Sequence, residues 1–277
     1  MKNLKLYVLD LGRMRMDQNL IVSQSIIADS VNPNKVTQHT EFPVQAFLIE
    51  SSEGYVLYDT GCNPASMGPN GRWPLEFQQK VPYYGNEECS TLNRLKQLGV
   101  APDDIKWVIL SHMHNDHAGC VEYFPKSKFI VHKDEFDAAV HAYATHDYMS
   151  SYIWHDIDAW TRQKMDWNFI TNSDGDISLL PGLTILNLGS GHARGVLGLH
   201  IELQNTGGVI ITSDAIYSSD NFGEPLREPG VVYDTVGWRA AAKRIKSLVS
   251  QTNSRVWFGH DAKQFEGLKK STEGYYD

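Results

Sequence analysis

The chain has 277 residues, of which 42% are hydrophobic, 11% aromatic and 21% charged, and this composition is that of an ordinary globular protein. The length favours one large domain, which we take as residues 1–277. A formal net charge of -8 at pH 7 argues against a general binder of phosphate backbones, so we expect no nucleic-acid partner.

Short runs of β-branched or aromatic residues predict nine strands. These runs cover residues 5–12, 45–51, 55–61, 107–112, 128–132, 183–189, 197–203, 208–214 and 255–261. Helical patterns cover residues 91–99 after an N-cap at Ser90, residues 133–143, and residues 235–251 after an N-cap at Asp234. Residues 62–88 and 141–170 fit neither pattern well. The mixed order predicts an α+β fold in which helices cover the outside of two packed mixed sheets.

The first residues alternate like a strand and lack the apolar stretch and the cleavage site of a signal peptide. No apolar run approaches the roughly 18 to 20 residues of a membrane helix, so we expect no membrane association. The three cysteines, Cys62, Cys89 and Cys120, have no CxxC spacing, which argues against a disulfide framework or a thiolate zinc site. Together these features predict a cytoplasmic protein.

The stretch SHMHNDHAG, residues 111–119, places three histidines and an aspartate within the six positions from His112 to His117. Histidines two apart do not share a helix face, but a turn that leaves a strand end can point them inward together. Neutral imidazoles and a carboxylate suit zinc, and also iron, manganese or cobalt. Packed together without a metal, these groups would be costly to bury, so the cluster predicts a metal site.

Three other predicted strands also deliver a histidine or an aspartate at or just beyond their ends, namely His192, Asp214 and His260. With the four candidates in the cluster, these are too many ligands for one ordinary zinc ion that keeps an open position. We therefore predict two metal ions at one edge of the sheets. Because an aspartate has two carboxylate oxygens, we assign Asp214 as the residue that bridges the ions.

These motifs resemble the metallo-β-lactamase superfamily. The matching elements are H-x-H-x-D-H at 112–117, Gly-His at 191–192, Ser-Asp at 213–214 and Gly-His-Asp at 259–261. The resemblance covers most of the chain and implies an αββα sandwich with two divalent ions, zinc being favoured. The ligand sets that it implies are His112, His114 and His192 for the first ion, Asp116, His117 and His260 for the second, and Asp214 between them.

Within the superfamily, the stretch SDAIYSSDNF is similar to the N-acyl homoserine lactonases, in which a tyrosine follows the bridging aspartate by three residues. The resemblance implies a quorum-quenching hydrolase that opens the lactone ring of N-acyl homoserine lactones, small molecules. A hydroxide shared by the two ions attacks the carbonyl in this scheme. Tyr217 stabilises the oxyanion and Asp116 handles the proton, while Asp59 either orients a ligand or forms a tight turn.

Two other substrates fit the same metal site. A related lactonase acts on a pyridoxine-derived lactone, and a glyoxalase II-like thioesterase would use the two ions on an S-acyl bond. A phosphodiesterase or nuclease is disfavoured by the acidic charge balance. A diiron oxidoreductase usually carries glutamate where this chain has His114, and an open position between two ions argues against a non-catalytic metal binder.

The chain departs from the lactonase pattern at Arg194 and Val196, which follow a predicted ligand, and at Cys120, which we expect to be a buried thiol. For the aromatic residues in the two unassigned segments, three roles stay open: the wall of an acyl-chain pocket, ordinary core packing or a homodimer contact. These residues are Trp73, Phe77, Tyr83, Tyr84, Tyr152, Trp154 and Trp160. The remaining histidines are not assigned as ligands, and His155, in the second aromatic segment, is the one among them that would first overturn this assignment. They are His39, His132, His141, His146, His155 and His200.

Overall fold

The computed structural model describes residues 4–148 and 150–277, so residues 1–3 and Met149, in the aromatic segment, lie outside the described residues. The described residues form two mixed β-sheets. The first sheet contains, in both chain and spatial order, β1 (Lys5–Asp17), β2 (His39–Ser51), β3 (Gly54–Tyr58), β4 (Ile105–Ile109), β5 (Lys128–His132) and β6 (Asp166–Ile170). The second sheet contains β7 (Ile177–Leu180), β8 (Leu183–Gly189), β9 (Val196–Leu203), β10 (Gly207–Ile211) and β11 (Arg255–Trp257). Consecutive strands are neighbours in this sheet too, from β11 at one edge to β7 at the other.

Parallel pairing within each sheet decides where the strand ends meet. In the first sheet β3 pairs in parallel with β4, and β4 with β5, whereas β1, β2 and β3 are antiparallel neighbours. In the second sheet β10 and β11 are parallel, and the other pairs are antiparallel. The carboxyl ends of β3 and β4 therefore share one edge of the first sheet, and those of β10 and β11 share one edge of the second.

Helices cover the outer faces of both sheets. They are α1 (Gln18–Ile21), α2 (Leu75–Lys80), α3 (Thr91–Gln97), α4 (Lys133–Ala144), α5 (Trp154–Thr161), α6 (Ser219–Phe222), α7 (Thr235–Thr252) and α8 (Ala262–Gly267). Leu95 of α3 and Trp160 of α5 are buried in the apolar cluster outside the first sheet. Trp238 and Ile245 of α7 are buried in the cluster outside the second. No helix in the described ranges combines the length and the apolar character of a membrane span.

The two sheets pack on each other through a layer of buried side chains. Phe47 and Ile49 of β2 belong to the same apolar cluster as Leu199 and Ile201 of β9. A polar contact also joins the sheets, since the buried Tyr58 hydroxyl donates a hydrogen bond to the carbonyl oxygen of Leu197 at 2.7 Å. The hydrogen bond ties the end of β3 to β9, next to the edge where the predicted ligands are expected.

The structure confirms all nine predicted strands and both predicted N-caps. The Ser90 hydroxyl accepts from the Asn93 amide at 3.2 Å, and Asp234 accepts from the amides of Val236 and Gly237 at 3.0 Å. Sequence patterns missed β6 and β7, which are short and largely exposed, so they lack a clear apolar alternation. They also missed α5, which begins at Trp154 without a side-chain N-cap.

Replacing Tyr58 with phenylalanine tests the contact between the sheets. Because Tyr58→Phe removes a buried donor and leaves its acceptor less satisfied, we expect the free energy of unfolding to fall by about 1–3 kcal/mol. Urea denaturation of the metal-free protein measures this change. Tyr55→Phe, at the partly exposed start of the same strand, is the control. Equal stability of the two variants would contradict the assigned role.

Candidate metal centre

The seven predicted ligands come together at the shared edge of the two sheets. The loop after β4 carries His112, His114, Asp116 and His117, and the loop from β8 to β9 carries His192. Asp214 follows β10 and His260 follows β11. The Leu197 amide donates to the Ser111 carbonyl at 2.8 Å, and this hydrogen bond joins the β4 loop to the second sheet.

Asp214 lies in the middle of this cluster, with one carboxylate oxygen on each side. Its Oδ2 is 3.2 Å from Nε2 of His192 and 3.6 Å from Nε2 of His112. Its Oδ1 is 2.9 Å from Nε2 of His260 and 3.3 Å from Nε2 of His117. The two oxygens therefore face different sets of imidazoles.

Two groups of side chains around Asp214 have the donor types and the spacing of a metal site. The ligand atoms of the first triad, His112, His114 and His192, all lie within 4.8 Å of one another. The same limit holds for the second triad, Asp116, His117 and His260. A third such group, His112, His117 and Asp214, links the two triads. The residues present can thus hold two metal ions, one on each side of Asp214.

Hydrogen bonds on the outer side fix the orientation of four of the imidazoles. Nδ1 of His112 contacts the Ser111 hydroxyl at 3.0 Å, and Nδ1 of His117 contacts Asp59 at 2.8 Å. Nδ1 of His192 faces the Val231 carbonyl at 3.0 Å, and Nδ1 of His260 faces the Pro43 carbonyl at 2.9 Å. In each ring Nε2 is left to point into the site, which is the arrangement of metal-binding histidines. His114 differs, because its Nδ1 faces Nε2 of His192 at 2.9 Å.

Asp59 combines the two roles that the sequence left open. Its backbone has φ of 62°, the left-handed conformation of a tight turn, directly after β3. Its carboxylate accepts from the Ser111 amide at 2.7 Å and from the Ser111 hydroxyl at 2.8 Å, besides its contact with His117. The turn therefore aims a buried carboxylate at the ring that it orients.

The first triad and Asp214 already have the charge states of metal ligands. Burial lowers the pKa of every imidazole in the first triad, to about 3 for His114, so these rings are neutral. Burial opposes ionisation of Asp214, but the imidazoles of His260, His117 and His192 outweigh it and hold the pKa of this carboxyl well below its usual range. Neutral imidazoles and ionised carboxylates are the forms that bind a metal. In the second triad, burial lowers the pKa of His117 and His260, but the charges of Asp116 and Asp214 outweigh it and raise the pKa of both rings, so metal binding there must displace a proton.

Two buried nitrogens provide a direct test of whether a metal fits. Nε2 of His112 and Nε2 of His117 are shielded from solvent, and within the described part of the chain neither makes a hydrogen bond. A buried polar atom without a partner is costly, so both atoms need a ligand between them and Asp214. A divalent cation on either side of the carboxylate would satisfy both nitrogens.

The loop that carries Asp214 approaches the neighbouring loop very closely. Ser213 has φ of 45°, a strained conformation for a residue with a side chain. Gly259 makes the approach feasible, because a Cβ at this position would lie 2.7 Å from the Ser213 backbone and 2.8 Å from Oδ1 of Asp214. A glycine before His260 is therefore required for Asp214 to reach between the triads.

Tyr217 borders a cavity of about 140 Å³ that opens onto the centre. The tyrosine ring centroid lies 5.2 Å from that of His192 and 5.1 Å from that of His260. Burial, followed by the charges of Asp214 and Asp116, raises the pKa of the Tyr217 hydroxyl well above 10, so it remains a donor at neutral pH. Apolar side chains line much of the remaining wall, namely Met14, Met16, Leu20, Phe42, Phe77, Val81 and Val231.

The aromatic residues left open by the sequence divide between the cavity and the core. Phe77 lines the cavity, whereas Trp73, Tyr83 and Trp160 are buried in the cluster outside the first sheet. Tyr152 packs on His114 with ring centroids 5.2 Å apart. Tyr84 is 55% exposed, whereas the half-buried Trp154 stacks on Tyr143 at the border of the core.

The structure shows the surroundings of three residues that the sequence analysis singled out. Cys120 is a buried thiol, as predicted, and donates to the Cys62 carbonyl at 3.3 Å. The Arg194 side chain is exposed and donates to the Tyr233 hydroxyl at 2.9 Å. His155 is exposed on α5 and lies outside the centre.

Sequence reasoning missed Glu135, a buried carboxyl group beside the centre. Its oxygens accept hydrogen bonds from the amides of Met113 and Arg194, both at 3.0 Å. The neighbouring Asp134 is exposed in the same helical turn. Two adjacent acidic residues at a helix start give no signal in the sequence that tells the buried one from the solvated one.

Comparisons with known families and proteins agree with the geometry of the centre. A model of the metallo-beta-lactamase superfamily matches residues 39–260, a span that includes both triads, Asp214 and Tyr217. The chain is 46% identical to the N-acyl homoserine lactonase AiiB of Agrobacterium fabrum, with 99% of each chain covered. It is 30% identical to the N-acyl homoserine lactonase AiiA of Bacillus thuringiensis subsp. kurstaki, with 94% of each chain covered.

Solved structures show the same similarity in three dimensions. A variant of B. thuringiensis AiiA with N-decanoyl-L-homoserine bound at its active site overlays with a TM-score of 0.82 at 29% identity, over 100% of both chains. An N-acyl homoserine lactone hydrolase with its product N-hexanoyl-L-homoserine bound at the catalytic metal center gives the same TM-score, identity and coverage. These overlays confirm the predicted αββα sandwich.

Metal loading should stabilise the folded chain, because the centre exists only when the loops are folded. Ion concentrations 100 times the dissociation constant should add about 2.7 kcal/mol, which zinc titration with thermal unfolding would show as a higher midpoint. His192→Ala, which removes a ligand of the first triad, should reduce the shift. His155→Ala, on the surface of α5, should keep it. A midpoint that does not respond to zinc would contradict the metal centre.

Proposed function

The chain belongs to the metallo-β-lactamase superfamily, and we propose that it is a metal-dependent hydrolase that opens the lactone ring of N-acyl homoserine lactones, a quorum-quenching activity. The observation that carries this proposal is the placement of Tyr217 on the cavity beside Asp214, whose two oxygens face the two triads. The relatives that cover the whole chain are named for the same reaction. The small-molecule lactone is therefore the proposed partner.

We propose the ligand sets that the resemblance implied, with the first triad on one ion, the second triad on the other and Asp214 between them. Their support is the spacing of the donor atoms and the two unpartnered imidazole nitrogens. Zinc is the proposed ion, because neutral imidazoles and carboxylates suit it, with iron, manganese or cobalt as alternatives. When bound, two such ions lower the pKa of water to near 7 and polarise a carbonyl oxygen.

The side chains of the centre then divide the work of ring opening. A water oxygen attacks the lactone carbonyl carbon, and the Tyr217 hydroxyl donates a hydrogen bond to the carbonyl oxygen as negative charge develops there. The Asp116 carboxylate accepts the proton of the attacking water. It delivers this proton to the ring oxygen when the bond between that oxygen and the carbonyl carbon breaks. The product is the open N-acyl homoserine, a hydroxy acid.

The electrostatics of Asp116 suit this proton transfer. Burial raises the pKa of its carboxyl group, but His117 and His260 outweigh burial and lower the pKa below the usual value. Asp116 Oδ2 lies 3.5 Å from Nε2 of His117 and 3.4 Å from Nε2 of His260. The group is therefore an ionised acceptor at neutral pH, at the side of the site that the second triad forms.

The cavity supports an acyl-chain substrate over a small polar one. Met16, Phe42 and Phe77 line it together with Tyr217, so an alkyl chain attached to the lactone can bury its methylene groups there. Of the aromatic residues that the sequence left open, Phe77 therefore belongs to the proposed pocket, while Trp73 and Tyr83 pack in the core behind it. A homodimer stays a prediction from the sequence.

Two wider features belong to the same proposal. We propose a single domain over residues 1–277, supported by contacts between distant parts of the chain. The Gln45 side chain of β2, for example, donates to the carbonyls of Phe258 and Gly259 at 2.7 and 2.8 Å. We also propose the reducing cytoplasm as its compartment, because all three cysteines are free thiols.

A substrate panel tests the proposed reaction. The zinc-loaded protein is given N-hexanoyl and N-decanoyl homoserine lactones, a simple lactone, a pyridoxine-derived lactone, a thioester and a phosphodiester, and acid release is followed at constant pH. We expect fast turnover of the acylated lactones, because only these combine the ring with a chain that can contact the apolar wall of the cavity. Turnover confined to the thioester or the phosphodiester would refute the lactonase assignment.

Replacing the Tyr217 hydroxyl tests its role at the carbonyl oxygen. Tyr217→Phe should bind two metal ions like the unmodified protein and should lower kcat by roughly 100- to 1,000-fold, which is the effect of losing one oxyanion donor. Steady-state kinetics and metal analysis measure both quantities. Tyr84→Phe, on an exposed ring, is the matched control. An unchanged kcat in Tyr217→Phe would show that the hydroxyl takes no part.

A further inference from the structure

Glu135 of α4 joins the two loops that carry the first triad. Its Oε1 accepts a hydrogen bond at 3.0 Å from the amide of Met113, which lies between His112 and His114. Its Oε2 accepts at 3.0 Å from the amide of Arg194, two residues after His192. One carboxylate therefore holds both ligand-bearing segments, although they come from opposite sheets.

A third hydrogen bond joins the Glu135 carboxylate to a tyrosine that packs on one of the proposed ligands. The Tyr152 hydroxyl donates to Oε2 of Glu135 at 3.1 Å, and the Tyr152 ring packs on His114. Every partner of the carboxylate is thus a donor. An ionised carboxylate accepts on both oxygens, whereas an amide in its place would turn an NH₂ group toward one of these donors.

The backbone of the second loop is pressed against the same helix start. A Cβ at Gly195 would lie 2.1 Å from Nδ1 of His132, the residue that caps α4. Glu135 itself is 0% exposed, so no water competes for its oxygens. Close backbone contact and a buried acceptor together fix the distance between the loops.

We propose that Glu135 is a positioning residue that clamps the two loops and so sets the affinity of the first triad for its metal ion. The inference rests on the proposed ligand sets but not on the identity of the substrate. Glu135 reaches no ligand nitrogen directly and acts through the backbone on either side of His112, His114 and His192. Outer contacts of this kind commonly change metal affinity or activity by 10- to 100-fold when they are removed.

Glu135→Gln is the direct test, because it keeps the shape of the side chain and removes the second acceptor. Metal-free protein is titrated with Co²⁺ in competition with a chromophoric chelator, and the visible absorption of the bound ion is recorded. We expect the affinity of one of the two ions to fall by about 10- to 100-fold, with an altered absorption band, while the other ion binds as before.

Asp156→Asn is the matched control, because it also replaces a buried carboxyl group with an amide. Asp156 forms an ion pair with Arg72 at 3.1 Å. Among the described residues, neither of its carboxylate oxygens makes a hydrogen bond to a ligand-bearing loop. This variant should bind both ions with unchanged affinity. Equal losses of affinity in the two variants would overturn the proposal, because they would reflect general loosening of the fold.

Glu135→Asp keeps the test decisive if the glutamine variant does not fold. The shorter acid retains the charge but cannot span both loops, so we expect a weaker first ion and an unchanged second ion. Unchanged affinity and spectrum for both ions, in either folded variant, would overturn the clamp. These readouts do not involve a lactone, so failure to hydrolyse lactones would refute the proposed function and leave the clamp standing.

Discussion

The buried carboxylate of Asp214 is the group on which the rest of the centre depends. It is 2% exposed and stands between imidazoles that come from both sheets. An isolated charge at this depth would be strongly unfavourable, so its neighbours must be cations or metal-bound ligands. The surrounding loops can be understood as the means by which the fold brings those neighbours to its two oxygens.

The fold meets this requirement by bringing strand ends to one edge and fixing each ligand from outside. Parallel pairing sets β3 beside β4 and β10 beside β11, so four ligand-bearing or supporting loops converge. Asp59 and Glu135 then tie the β4 loop to its neighbours with buried carboxylates. Hydrogen bonds to backbone carbonyls orient His192 and His260 in the same way. The result is a site in which outer hydrogen bonds hold the candidate ligands in place.

Sequence could predict which candidate ligands the fold gathers, because metal binding restricts such residues to few types at fixed strand ends. His112, His192 and His260 are examples, and the structure brings all of them to one place. Supporting residues are different, because Glu135 looks like any acid in a helical first turn until the fold buries it. Edge elements such as β6 were missed for a related reason, since their exposed side chains carry no apolar pattern. Tertiary contacts, rather than local preference, decide both cases.

X-ray absorption spectroscopy of the zinc-loaded protein would show whether Asp214 joins two ions into one centre. With two equivalents of zinc bound, we expect a histidine-rich environment and a metal–metal scattering path at roughly 3.5–4 Å, the spacing of two-metal sites. Retention of only one equivalent, or two zinc ions with no metal–metal path, would contradict this expectation.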